Sequence, residues 1–209
     1  ALTSGCGTRD DGLASGQEVP AFSVREVADS ALVAHLKSLS PPFSRDTVHI
    51  FSPSLNDAAG GMHGQAISSD WERFFQPFYP GMAKGPNVFA VGWLPIGPDL
   101  PGFILRVPSA YSSSGMALWI YNEKDRHWLP PRVIADAFGD GTWSFQLDAW
   151  LVDRTDDGYR DLVQRRTDWD VGMTSTDATT IVADSTYWTF FQSAFVQWGW
   201  QMEGRGDEE

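Results

Sequence analysis

The chain has 209 residues, 42% of them apolar, including ten Trp, which is enough for one domain with a real core. Its net charge of −12 argues against nucleic acid or anionic lipid headgroups as primary partners. A single Cys excludes an intramolecular disulfide, and no apolar run is long enough to span a bilayer.

Residues 1–20, rich in Gly, Ser, Thr and Asp, predict a leader or tether. Residues 21–202 predict one globular body, and residues 203–209 an acidic tail. From Phe22 to Leu39, Val24, Val27, Leu32, Leu36 and Leu39 recur among polar residues, which predicts an amphipathic helix ended by Pro41-Pro42. Val48 to Phe51 is a short strand candidate, and Ser54 to Ser69 reads as a Gly-rich loop. Asp70 to Phe75 predicts a helical turn capped by Ser68 or Ser69. Three strands are expected over Val88 to Leu94, Gly102 to Val107 and Met116 to Tyr121. Pro130-Pro131 is expected to open a short helix through Phe138. Phe145, Leu147, Ala149 and Leu151 alternate with polar or amphipathic residues, a strand period. Tyr187 to Trp200 fits either a strand or an aromatic helix. The fold class expected is α+β: an N-terminal helix packed on a mainly antiparallel sheet or small sandwich.

The segment most suggestive of chemistry is Asp153-Arg-Thr155-Asp-Asp157-Gly158-Tyr159-Arg-Asp161. It places oxygen donors at alternate positions before a Gly that permits a sharp turn, which is what a hard cation needs from one short loop. Asp153, Thr155 and Asp157 would give side-chain oxygens, Tyr159 its carbonyl, and Asp161 a carboxylate. This pattern resembles the calcium loop of FG-GAP repeats, D-x-[DNST]-x-D-G-x-x-D, and is similar to the first part of an EF-hand loop. The resemblance implies a strand, a metal loop and a returning strand, with Ca2+ in a structural role. One copy excludes a seven-bladed propeller. Gln164 stands where a full EF-hand has a bidentate Glu. The competing reading is a polar hairpin, because Asp-Asp-Gly is ordinary turn chemistry. Asp136, Asp140, Asp148, Asp168 and Asp170 are outer-ligand candidates or simply solvated charge.

Leu2-Thr-Ser-Gly5-Cys6 resembles a bacterial lipobox, with a small residue before the Cys, although the aliphatic Leu2 lies one position early. Cys6 is therefore the candidate lipidation site, and a lipid anchor would tether the protein to a membrane without spanning it. The alternative is a free thiol in a flexible leader.

No catalytic set emerges. His35, His49, His63 and His127 are far apart and show no metal spacing. No G-x-S-x-G is present, and Gly60-Gly61-Met-His-Gly64 lacks the Lys of a phosphate cradle. Trp93, Trp119, Trp143 and Trp150 read as core, whereas Trp188, Trp198 and Trp200 suggest an exposed aromatic surface. The leading expectation is a non-enzymatic, extracytoplasmic calcium-binding protein, periplasmic or at the cell surface. It would be an accessory or docking subunit contacting other protein subunits of a membrane-associated assembly. A secreted carbohydrate-binding module is the alternative, and a hydrolase with an acidic site the third.

Overall fold

The computed structural model describes residues 24–52, 62–79, 87–109, 114–139, 143–170, 179–191 and 194–203. In chain order the elements are α1 (Val24–Leu39), β1 (Val48–Ile50), β2 (Gln65–Ala66), α2 (Ser69–Phe75), β3 (Phe89–Gly97) and β4 (Leu100–Val107). They continue with β5 (Gly115–Asn122), β6 (His127–Trp128), β7 (Arg132–Gly139), β8 (Trp143–Val152), β9 (Asp161–Asp170), β10 (Thr179–Phe191) and β11 (Ala194–Glu203). The class is α+β, with the N-terminal helix on a mainly antiparallel sheet, as the sequence predicts.

All named strands belong to one eleven-stranded sheet whose main path runs β11-β10-β9-β8-β7-β5-β4-β3-β2, with β1 beside β8 and β6 beside β5. The corner is β7. Its residues 132–135 pair with β5, and its residues 136–139 pair with β8. Gln164 pins this corner by donating Nε2 to the Ile134 carbonyl at 3.1 Å. The corner folds the two halves of the sheet together. Val91, Leu94, Ile96, Ile104, Met116 and Leu118 from one half share a core with Ala149, Leu151, Leu162 and Phe190 from the other.

The opposite face of β3–β5 is buried as well. Leu32, Val33 and Leu36 of α1 and Phe75 of α2 pack there on Phe103, Leu105, Ala117, Trp119 and Tyr121. Burial on both faces explains why β5 reads as a continuous apolar run, with every residue buried. Three layers result: helices, the β3–β5 half, and the β8–β10 half.

Two expectations change. Residues 132–139 form a strand and not the helix expected after Pro130-Pro131. A Pro pair also suits strand entry, and the Val133-Ile134-Ala135 run pairs with β5 before residues 136–139 pair with β8. Tyr187 to Trp200 is neither one strand nor a helix: it takes in the end of β10 and most of β11, which pair antiparallel. Ser68 precedes α2 in an extended conformation, without a side-chain cap bond. The leader with Cys6, Asp140 and residues 204–209 lie outside the described residues, and Glu203 closes β11.

Candidate metal loop

The Asp-rich segment is the turn of the β8–β9 hairpin, whose last pair is Val152 with Asp161. Strand alternation puts Leu151 and Leu162 inward, so the chain must reverse within residues 153–160. Asp156 and Gly158 make that reversal at φ +56° and +82°, left-handed conformations that Asp tolerates and Gly adopts freely.

Each predicted ligand can be placed. Asp153 Oδ2 accepts from the Gly158 amide at 3.0 Å, closing the loop on itself. Asp157 Oδ1 accepts from the Tyr159 amide at 2.9 Å, an Asx turn. Asp161 is only 1% exposed; its Oδ2 accepts from the Arg154 amide at 3.0 Å and its Oδ1 from the Thr189 hydroxyl at 2.6 Å. Thr155 is exposed at the tip. The carboxylates at the first, fifth and ninth positions thus bond amides of the same loop. Among the described residues, however, no three His, Cys, Asp or Glu side chains gather at metal-binding distance.

Does the donor set suit calcium? A carboxylate oxygen holding one hydrogen bond keeps a second lone pair, so these bonds do not use up the ligands. The all-oxygen donor types suit a hard cation, but the side chains would have to draw together to hold one. Asp153, Asp157 and Asp161 would hold the ion together with the Thr155 hydroxyl and the Tyr159 carbonyl, and the ion would supply cross-linking rather than chemistry.

Sequence reasoning missed what anchors the loop. Tyr159 lies on Gly97 at the end of β3, where a Cβ would come within 2.2 Å of the ring, and it stacks on Phe190 at 6.0 Å between centroids. The Arg160 amide donates to the Ile96 carbonyl at 2.7 Å. Its guanidinium donates to the carbonyls of Pro95 at 3.1 Å, Leu151 at 3.4 Å, Arg45 at 3.3 Å, and Asp46. One fork therefore ties the hairpin to β3 and to the segment before β1, so the loop joins both halves of the sheet. An open groove of about 600 Å3 runs beside it, lined by Asp46, Pro98, Asp153, Asp156 and Arg160 among others.

Three of the outer ligand candidates go elsewhere, and the Asp170 side chain, like Asp140, lies outside what is described. Asp136 accepts from Ser109 at 2.7 Å, Asp148 from Gln146 at 2.8 Å, and Asp168 pairs with Arg166 at 2.9 Å. The histidines stay apart: His35 stacks on Trp71 and His49 on Trp150.

Of the four Trp expected in the core, Trp119 is fully buried, and Trp93, Trp143 and Trp150 are partly exposed. The exposed aromatic surface falls on Trp198, 55% exposed, with Tyr187 at 5.4 Å between ring centroids. The Arg154 guanidinium lies 4.7 Å from the Tyr187 ring and 5.6 Å from that of Trp198, which joins this patch to the loop. Trp188 is partly buried against the core under the Arg132 guanidinium, 3.6 Å away.

No protein-family model matches the chain, and no curated protein or solved structure matches it either.

Proposed function

We propose that this is a non-enzymatic, extracytoplasmic docking protein in which the 153–161 loop is a structural calcium site. The observation that carries the reading is the wrap of that loop: Asp153 on the Gly158 amide and Asp161 on the Arg154 amide, closed around Gly158 at φ +82°. A cation bound there would cross-link a turn already tied to β3 by Arg160, stiffening the junction between the two halves of the sheet. Calcium is abundant outside the cytoplasm, in keeping with a lipid anchor on Cys6. The docking role rests on the exposed Trp198 surface.

A ligand that binds only the folded state raises the melting temperature by mass action. Melting should therefore rise with calcium and return to the starting value with chelator, and Asp157→Ala should remove the difference. Equal melting temperatures in calcium and chelator would rule the site out. For the anchor, intact mass of membrane-extracted protein from the native host should carry a diacylglyceryl group on Cys6; an unmodified thiol there would contradict it.

A second reading, a carbohydrate-binding module, is favoured by one observation. Tyr187 and the exposed Trp198 present neighbouring rings under Arg154, a platform on which sugar faces could stack. Glycan-array binding lost in Trp198→Ala would favour it over a protein-docking role.

A further inference from the structure

The sheet's two ends differ in their capacity to pair. At one end β2 has only two residues, too short to template a neighbour. At the other, β11 runs for ten residues and pairs, among the described residues, with β10 alone. Natural edge strands are blunted by Lys, by Pro, by inward charges or by bulges. From Ala194 to Met202 this edge has no charge and no Pro: Phe195, Val196, Gln197, Trp198, Gly199, Trp200 and Gln201 intervene, and the first charge is Glu203.

Its one irregularity is a bulge. Tyr187 pairs with Gly199 and Trp188 with Gln197, so Trp198 is the extra residue. A bulge re-aims its side chain. Here it leaves Trp198 55% and the neighbouring Val196 47% exposed, two of the larger apolar side chains open to solvent.

We propose that β11 is a self-pairing edge, along which two copies of this chain join antiparallel about a two-fold axis beside Trp198. Residues 194–197 of one copy would lie against residues 200–203 of the other, forming two short ladders either side of the bulges. Such an interface is isologous, each copy offering the same surface. It also fits the charges. The two Glu203 residues fall at opposite ends of the paired strands, nowhere opposite each other, so the register brings no like charges together. Between Ala194 and Met202 the strand's own residues are uncharged, and the ionic group beside them is Arg154, whose guanidinium lies over Trp198. What opposes association is the long-range repulsion between two bodies of net charge −12, and salt screens that term.

Sedimentation velocity on the full chain tests this. A concentration-dependent dimer should form and tighten as salt is raised, the reverse of an ionic interface. Trp198→Glu sets like charges together at the axis and should raise the dimer Kd about tenfold or more. Phe78→Glu, at another exposed aromatic far from β11 in sequence, should leave Kd unchanged. Hydrogen exchange guards against misfolding of the variant: in the wild type, β11 amides should slow as protein concentration rises. A monomer throughout, up to about 100 μM, would overturn the proposal. So would a dimer weakened by Phe78→Glu and not by Trp198→Glu. Amides of β11 protected equally at every concentration would overturn it too, by showing that another part of the same chain covers the edge.

Discussion

The β3–β5 half and the β9–β11 limb are continuous parts of one sheet, yet they are built on opposite terms. In the first, both faces are covered, and residues such as Trp119, Phe103 and Ile104 have no exposed surface. In the second, exposure rises outward, from Leu162 at 0% to Trp198 at 55%. On the proposed docking role, the first region carries stability and the second carries encounter. The Asp loop sits where they meet, held by Tyr159 and Arg160 against the end of β3. Substitutions in the two regions should therefore differ sharply in cost.

The largest effect belongs to Trp119. It is wholly buried, with Phe75 and Phe78 edge-on at 5.0 Å and 4.8 Å between ring centroids, and its Nε1 donates to the Tyr79 hydroxyl at 3.2 Å. Trp119→Ala should cost about 3–5 kcal/mol in urea unfolding, by loss of transfer free energy and by the cavity left behind. A loss under about 1 kcal/mol would remove the distinction between the two halves.

Next comes the junction. Gly97→Ala would drive a Cβ into the Tyr159 ring, backed by Phe190, and should cost about 1–3 kcal/mol through overpacking. It should also speed amide exchange across residues 153–160. Unchanged exchange there would mean that the loop does not depend on β3.

A smaller effect appears only at alkaline pH. Burial pushes the Tyr79 hydroxyl up to about 12, partly offset by the hydrogen bond from Trp119. The folded state then holds this proton more tightly than the unfolded chain, whose Tyr titrates near 10. Stability from this source is complete below about pH 10 and is lost as pH rises toward 12. In Tyr79→Phe the slope of stability over that window should flatten; an unchanged slope would locate the alkaline transition elsewhere. Smallest of all, Trp198→Ala should change stability by less than about 0.5 kcal/mol, since its side chain is mostly in water. A cost above about 1 kcal/mol would make the limb part of the core.

Legibility in the sequence follows the same division. Phe145, Leu147, Ala149 and Leu151 announce β8 because a strand with one face inward keeps its period. The amphipathic pattern to Leu39 marks α1 for the same reason. Residues 132–139 mislead because β7 changes partners midway, and its pattern answers to two surfaces. The 187–200 segment is ambiguous because aromatics occupy both faces and the bulge at Trp198 shifts the period. At the loop, the turn and its Asp residues are visible because they are local. Arg160 is not, since its acceptors at Arg45, Asp46 and Pro95 lie at least 65 residues away. Gly97 shows nothing until Tyr159 is folded onto it.

The role of this junction turns on whether the loop binds calcium, and isothermal titration of the chelator-stripped protein with calcium tests that most directly. One ion should bind per chain, with binding lost in Asp157→Ala and amide exchange slowed across residues 153–161 in the loaded wild type. No binding heat at any calcium concentration, together with an exchange pattern indifferent to the ion, would reduce the loop to a hairpin turn held by Tyr159 and Arg160 alone.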